Sequence, residues 1–378
     1  MSGYRLPRMH RLVKATRFAF AAPAMAMLAA AVLVANSAHA DDGQAIIARA
    51  REEARQGKFI NMISSPKGEK AQRALMEAFQ KRFDIEVDWE WLPLTSAVSA
   101  PRVVEQAKAN VPVPSVIGGY SYQTFDAWIV KNGIDTTVDW VGEFSSLFPA
   151  IKTAAVDGVL PQYQNKVLRQ WDVQYVMVYN TDQVKAKDAP RRLEDLADPK
   201  WRGRFAMSNN TPPPLDILAL HLGLDGAIDL TKKLLANKPR FKPGPPAAVG
   251  AIAAGEVPVG VAGYTALADA QKEKGAPIAW VPLDTLPVGP LFVFMLKDAP
   301  QPNLGKLFLA WLVTEGLKIQ EKEEHLSFFA NRDSETTKAI LAASPDIKVV
   351  QVSSDEDQKL VEKAGREIMK LIAGVAGK

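Results

Sequence analysis

Short apolar segments alternate with helical segments along this chain, and that alternation constrains its fold more than any other feature. Residues 58–64 (KFINMIS) predict a strand, residues 69–83 an amphipathic helix, and residues 84–92 a second strand. A helix over about residues 101–109 and a third strand over residues 113–122 (VPSVIGGYSY) follow. This order predicts a parallel sheet in an α/β domain.

The pattern starts again in the second half of the chain. Strands are predicted at residues 173–181 (VQYVMVYNT), 204–208 (RFAMS), 257–265 (VPVGVAGYT), 278–283 (IAWVPL) and 290–296 (PLFVFML). The chain is mainly helical after Pro302, and the Pro/Gly cluster over residues 238–250 (KPRFKPGPPAAVG) is interpreted as a connecting loop. A chain of 378 residues is long enough for two such α/β units, each with its own core.

The first 40 residues differ from the rest in composition. They contain five basic residues and no acid, then an apolar run from Phe18 to Ala35, and they end in the small-residue pattern Ala38-His39-Ala40. This order is typical of a secretory signal peptide cleaved after Ala40. The alternative is a membrane anchor, but the run is near the lower length limit for a span and contains Pro23.

Charge and cysteine content exclude several classes of function. Without the predicted signal, 41 basic and 42 acidic residues remain, a net charge of −1. Binding of a nucleic-acid backbone by bulk charge is therefore not expected. The chain contains no cysteine, so disulfides, a thiol nucleophile and a lipid-modified N-terminal cysteine are excluded. We expect a free, monomeric protein in a bacterial periplasm.

Hydroxyl, amide and phenol groups collect where the predicted strands end. In open α/β sheets, ligands lie beyond the carboxyl ends of the strands. Any one of these groups is equally well explained as a turn or a helix cap, but together they are typical of a binding cleft. The candidate ligand-binding residues are Ser64, Ser65, Tyr120, Tyr122, Ser208, Asn209, Asn210, Thr211 and Tyr264.

Catalytic and cofactor motifs are absent from the sequence. The chain after residue 40 has only two histidines, His221 and His325, so a zinc site is not expected. The Gly-x-Ser-x-Gly motif, the phosphate-binding loop and the dinucleotide glycine fingerprint are missing. We therefore predict neither a cofactor nor a metal and no enzymatic activity; an exported hydrolase on a similar scaffold is the alternative.

Four segments carry a resemblance to a known family. They are residues 57–87 (GKFINMISSPKGEKAQRALMEAFQKRFDIEV), 176–184 (VMVYNTDQV), 191–207 (RRLEDLADPKWRGRFAM) and 253–264 (AAGEVPVGVAGY). In them the chain resembles the periplasmic solute-binding proteins of ABC transporters, in the group that includes ferric-iron, polyamine, thiamine and aminoethylphosphonate binders. The resemblance implies a type 2-like fold of two α/β lobes that are joined by crossing strands and hold the ligand between them.

The resemblance also implies which loops contact the ligand. They are Ser64-Ser65, residues 119–122, residues 208–211, Tyr264 and the region of Asp284. Ferric-iron members carry two adjacent tyrosines where this chain has Tyr264-Thr265, so we expect a weak or absent ferric site.

The resemblance predicts a substrate-binding component that captures a small polar solute and delivers it to ABC permease subunits in the inner membrane. A ligand input to a sensor kinase is a further alternative. The predicted domains are a signal peptide at residues 1–40, lobe 1 at residues 41–172 with 282–325, and lobe 2 at residues 173–281 with 326–378.

Overall fold

The computed structural model describes residues 43–93, 103, 113–122, 133–261 and 263–376. Two β-sheets with helices packed around them make up this part of the chain, in agreement with the predicted α/β class. The predicted helix over residues 101–109 lies almost entirely outside the described residues. The strands are β1 (Phe59–Ile63), β2 (Trp89–Trp91), β3 (Val116–Tyr120), β4 (Leu168–Gln174), β5 (Val176–Asn180), β6 (Phe205–Ser208), β7 (Arg240–Lys242), β8 (Val259–Gly260), β9 (Ile278–Pro282), β10 (Thr285–Phe294) and β11 (Lys348–Val350).

Helices of very different length connect these strands. The α-helices are α1 (43–54), α2 (Glu69–Phe83), α3 (Trp140–Phe144), α4 (Ala219–Ala236), α5 (Pro245–Ala253), α6 (Thr265–Glu273), α7 (Pro302–Leu312), α8 (Leu317–Glu324), α9 (Glu335–Ala343) and α10 (Asp355–Ala376). A π-helical turn (Thr153–Asp157) and 3₁₀ turns (Pro161–Tyr163, Ala186–Asp188, Leu193–Ala197, Pro199–Trp201) lie between them. None of the helices in the described residues combines the length and apolar character needed to span a bilayer.

The sheet of lobe 1 follows the order β11-β10-β3-β1-β2, with β4 paired to β10. Strand β1 is parallel to β2 and to β3, as the strand–helix–strand order predicts, and β10 is antiparallel to β3 and β4. Its core is rich in aromatic rings: Phe308 of α7 lies 5.5 Å from Phe59 and 5.1 Å from Phe79, measured between ring centroids. Because α7 follows β10, the chain returns to lobe 1 after building lobe 2.

The sheet of lobe 2 follows the order β7-β6-β8-β5-β9. Strand β6 is parallel to β7 and β8, whereas β5 is antiparallel to β8 and β9. Helix α10 packs along α4, and its buried Ile368 and Ile372 join Leu230 and Leu234 in a mainly aliphatic core. The C-terminal helix therefore belongs to the packing of lobe 2.

Two chain segments run from one sheet into the other side by side. Only Tyr175 separates β4, in the first sheet, from β5, in the second. Strand β9 of the second sheet likewise leads through Leu283 and Asp284 into β10 of the first. The predicted lobe boundaries at 172/173 and 281/282 fall within these crossing strands, and the exact boundaries stay a prediction.

The interpretation of residues 238–250 as a connecting loop is wrong. The segment contains strand β7, which pairs with β6, and helix α5. Pro245 and Pro246 occupy the first turn of α5, where backbone N–H groups need no helical acceptor. Pro239 and Pro243 flank the three-residue edge strand and so remove no hydrogen bond from its ladder.

Candidate functional site

A cavity lies where the two lobes and the crossing strands meet. Junctions between lobes are common places for small-molecule ligands. Ser121 and Tyr122 come from the end of β3, and Gln358 comes from α10. The remaining lining residues are Val173, Tyr175, Pro213, Asp216, Ile217, Val288, Gly289, Pro290, Leu291, Val352 and Val361.

The polar groups of this cavity are held by buried contacts. The carboxylate of Asp216 is fully buried, and its Oδ1 accepts a hydrogen bond from the N–H of Ile217 at 2.8 Å. Burial raises the pKa of the Tyr175 phenol well above its usual value, and the negative charge of Asp216 raises it further. Gln358 donates from Nε2 to the hydroxyl of Tyr163 at 3.0 Å. The cavity therefore offers a few oriented polar groups on an apolar wall.

Tyr122 and Tyr264 approach the cavity from opposite lobes. The hydroxyl of Tyr122 accepts a hydrogen bond from the N–H of Leu160 at 3.1 Å, and burial raises the pKa of this phenol to about 12. Tyr264 precedes α6 and pairs as an isolated β-bridge with Tyr175, and the centroids of the two rings are 6.2 Å apart. Of these two predicted residues, Tyr122 lines the cavity, whereas Tyr264 packs against Tyr175 and is not part of the cavity wall.

The loop from Ser208 to Thr211 is organised by its own first residue. The buried Oγ of Ser208 accepts from the N–H groups of Asn210 (3.3 Å) and Thr211 (3.1 Å), and lies 2.8 Å from Oγ1 of Thr211. Asn209 and Asn210 are exposed, and Pro213 at the end of this turn lines the cavity. The structure thus brings this predicted loop to the edge of the cavity.

The ends of β1 and β3 lie side by side in lobe 1. A Cβ atom at Gly119 would lie 2.4 Å from Cβ of Ser64, and Gly119 has φ of +87°, so this contact requires glycine. Ser65 is half-buried and accepts from the N–H of Gly68 at 2.9 Å. Tyr120 is buried with its ring 5.6 Å from Phe294.

Asp284 lies apart from the other predicted residues. It occupies the turn between β9 and β10, where its carboxylate is 3.5 Å from Nε of Arg191. It lines a second cavity with Arg191, Arg192 and His221. The imidazole of His221 is exposed and hydrogen-bonds to Nζ of Lys348 at 2.8 Å. His221 is therefore a surface residue, although it lies in an apolar segment.

Three cavity residues were missed by sequence reasoning. Tyr175 stands in a nearly all-apolar segment, and Gln358 lies on a charged amphipathic helix 183 residues downstream, so nothing local marks either one. Asp216 does carry a signal, because it is the single acid in residues 215–224, a stretch that is apolar apart from Asp216 and His221. A lone acid in an apolar segment deserves consideration as a site residue.

Solved structures of low sequence identity share this fold. An ABC transporter substrate-binding protein from Bradyrhizobium japonicum is 16% identical with a TM-score of 0.64, over 84% of this chain and 98% of its own. Iron-bound HitA from Pseudomonas aeruginosa is 16% identical with a TM-score of 0.54, over 83% and 99%. The periplasmic binding protein AfuA from Actinobacillus pleuropneumoniae, with exogenous fructose-6-phosphate bound, is 19% identical with a TM-score of 0.57, over 82% and 98%.

The family itself follows from the sequence match. Residues 117–324, more than half of the chain, match the family described as bacterial extracellular solute-binding protein. No curated protein sequence matches the chain significantly. Proteins of this family are transport-associated, act in the periplasm or outside the cell, and bind small solutes for ABC permease partners. The chain therefore belongs to the bacterial extracellular solute-binding proteins, the solute-binding components of ABC transporters.

Proposed function

We propose that the cavity between the lobes binds a small organic solute that carries hydrogen-bonding groups and an apolar part. The observation that supports this most directly is the position of the cavity at the crossing strands, where residues of both lobes reach the same volume. Tyr122, Tyr175, Asp216 and Gln358 supply the polar contacts. A solute that touches both lobes favours their closed arrangement and shifts the population toward it.

We extend the site to the predicted loops around the cavity. Residues 64–65 and Tyr120 approach from lobe 1, and residues 208–211 and Tyr264 from lobe 2. Asp284 is left out, because its carboxylate pairs with Arg191 in the second cavity. The protein acts without catalysis in this proposal. His221 contacts Lys348 and His325 contacts Glu273, and neither of these contacts is the serine hydroxyl that a Ser-His-Asp hydrolase requires.

We further propose a monomer that starts at Asp41 in the periplasm and serves an inner-membrane permease. N-terminal sequencing of the periplasmic fraction tests the cleavage site. A protein that starts at Met1 in the membrane pellet would refute it.

The solute is identified by mass spectrometry of small molecules released from gently purified, then denatured, protein. With that compound in hand, Tyr175→Phe and Tyr264→Ala are each expected to weaken binding by roughly 5- to 150-fold, because a lost buried polar contact is worth about 1–3 kcal/mol. Asn209→Ala should weaken it less, because Asn209 is exposed before the lobes close. Asp284→Asn is the matched control, and we expect it to bind normally. Normal binding by all three site variants would show that the solute binds elsewhere.

We propose that this solute is not ferric iron. A ferric ion prefers hard anionic oxygen ligands such as phenolate. Burial raises the pKa values of Tyr122, Tyr175 and Tyr264, which disfavours their phenolate forms. No group of three or more His, Cys, Asp or Glu residues that could hold a metal ion occurs in the described part of the chain. Ferric citrate should give no strong visible band; an intense band that is lost in Tyr264→Phe would overturn this.

A further inference from the structure

Glu324, at the end of α8, is a buried carboxylate outside the proposed solute cavity. Its side chain is fully buried beneath the loop between β1 and α2, here called the β1–α2 loop (residues 64–68). The hydroxyl of Ser65 donates to Oε2, and Nε2 of Gln72 donates to Oε1 at 2.6 Å. Burying a carboxylate on neutral donors is unfavourable, so its presence here calls for a reason beyond packing.

The hydrogen bonds of Glu324 extend into the strand that precedes the loop. Gln72 accepts from Nδ2 of Asn61 at 2.7 Å, and Oδ1 of Asn61 accepts from the N–H of Ile63 at 3.0 Å. Asn61 and Gln72 are themselves almost completely buried. A continuous polar network thus joins β1, α2 and α8 under the β1–α2 loop.

The same loop also reaches the opposite lobe. Nζ of Lys67 lies 2.6 Å from Oε2 of Glu273, the last residue of α6 in lobe 2. Oε1 of Glu273 lies 3.4 Å from Nε2 of His325, the residue that follows Glu324. The loop and the end of α8 therefore meet lobe 2 at one carboxylate.

We propose that Glu324 is a positioning residue that holds the β1–α2 loop in place, so that Ser64 and Ser65 are presented to the solute when the lobes close. This role rests on the proposed function only in assigning Ser64 and Ser65 to the solute. Glu324 acts through Ser65 and through the N–H of Lys67, which hydrogen-bonds to it. Without Glu324, the loop remains connected to β1 and α2 but loses the hydrogen bonds that hold Ser65 and Lys67 in place.

Protonation of Glu324 gives this role a measurable signature. Burial raises the pKa of its carboxyl to about 7, against the opposing effect of the bonds from Ser65 and Gln72. Opening the loop hydrates the carboxyl and lowers its pKa, so ionisation favours the open loop and protonation the held loop. Other charged groups surround it on its own helix, on the loop, on α2 and on α6: Glu323, His325, Lys67, Lys70, Asp269 and Glu273.

The test is hydrogen exchange of the loop amides in the full-length mature protein without added solute. Rates are corrected for the intrinsic pH dependence of exchange and compared at about pH 6 and about pH 8. In the wild type we expect faster exchange over residues 64–68 at the higher pH. Glu324→Gln mimics the protonated side chain, so its loop amides should exchange at the slow wild-type rate of about pH 6 at both pH values. The loop amides of Glu324→Ala should exchange about tenfold faster than those of Glu324→Gln.

Glu323→Gln is the matched control, because Glu323 is the neighbouring carboxylate and pairs with Lys322 at 2.9 Å. This variant should keep the wild-type pH step, that is, the increase in the exchange rate of residues 64–68 between about pH 6 and about pH 8. A step that persists in Glu324→Gln belongs to another group, such as His325, and overturns the proposal, as does a wild type without a step. If Glu324→Ala does not fold, the comparison of wild type with Glu324→Gln still decides.

A second measurement separates this role from the solute site. Native mass spectrometry follows how much co-purified small molecule each variant retains. If Glu324→Ala loosens the loop and retention falls with it, both ideas hold. If the loop loosens and retention is unchanged, Glu324 positions the loop but Ser64 and Ser65 do not bind the solute.

Discussion

Two loops at the cleft begin alike in sequence and are held in different ways. Ser64-Ser65 follows a buried strand and precedes Pro66, and the segment from Ser208 to Thr211 follows another and precedes Pro212. Ser208 accepts its hydrogen bonds from residues two and three positions ahead. Ser65 has one such bond, from Gly68, but it also donates to Glu324, 259 residues away.

This difference in hydrogen bonding shows which contacts determine the conformation of each loop. The loop at Ser208 is closed mainly by local bonds. Its one further backbone bond, from the N–H of Asn209 to the carbonyl of Lys242 at 3.0 Å, is to the neighbouring strand β7 of the same lobe. The β1–α2 loop needs α8, which the chain adds only after it has built lobe 2 and returned. Its position therefore depends on tertiary structure and on the charge of Glu324.

The largest expected effect is on the pH dependence of stability. The pKa of Glu324 is raised from 4.5 to about 7 in the folded protein, so its stabilising contribution is present at low pH and lost as pH rises toward 7. At about 1.4 kcal/mol per pKa unit, the loss amounts to up to about 3 kcal/mol. Glu324→Gln should remove it, so chemical unfolding should show a more stable variant at about pH 8 and little difference at about pH 4.5. If the unfolding free energies of wild type and Glu324→Gln change in parallel with pH, the β1–α2 loop does not depend on the charge of Glu324, and the contrast between the two loops fails.

Ser208→Ala probes the locally closed loop and should cost about 1–2 kcal/mol of unfolding free energy. The substitution removes the acceptor of two backbone N–H groups from a buried position. Unlike the effect at Glu324, this loss should not vary between about pH 5 and about pH 8, because in the described part of the chain the Ser208 hydroxyl contacts the side chains of Asn210 and Thr211, which do not titrate. Thr211→Val, which keeps both N–H acceptor bonds, is the matched control and should cost less; chemical unfolding measures both.

The smallest effect concerns the ion pair between the lobes. The side chains of Lys67 and Glu273 are 20% and 49% exposed, and such partly exposed pairs are worth about 0.2–1 kcal/mol. Lys67→Glu or Glu273→Lys should shift the radius of gyration of the empty protein, measured by X-ray scattering, toward a more open average. The double exchange should restore it. Equal values for all four proteins would show that the pair does not hold the lobes together.

The sequence was sufficient for the architecture because periodicity and strand order are local signals. Strand β1, helix α2 and strand β3 lie within the segments predicted for them, and helices α7 to α10 occupy most of the chain from Pro302 onward, as expected. The error at residues 238–250 came from reading prolines as loop markers, although Pro245 and Pro246 are compatible with the first turn of a helix. Helix α4 begins only at Ala219, because turns separate it from the three prolines at residues 212–214. Gly223, with φ of +73°, interrupts the helix.

The contents of the site depend on contacts that no local pattern records. The sequence by itself determined the two α/β lobes, the polar strand ends and the family, since each is carried by short segments. Only the tertiary structure shows that Tyr175, Asp216 and Gln358 line one cavity and that Asp284 lines another. The physical reason is that the crossing strands and the returning C-terminal helix join residues far apart in the chain, and long-range packing decides which polar groups share a buried volume.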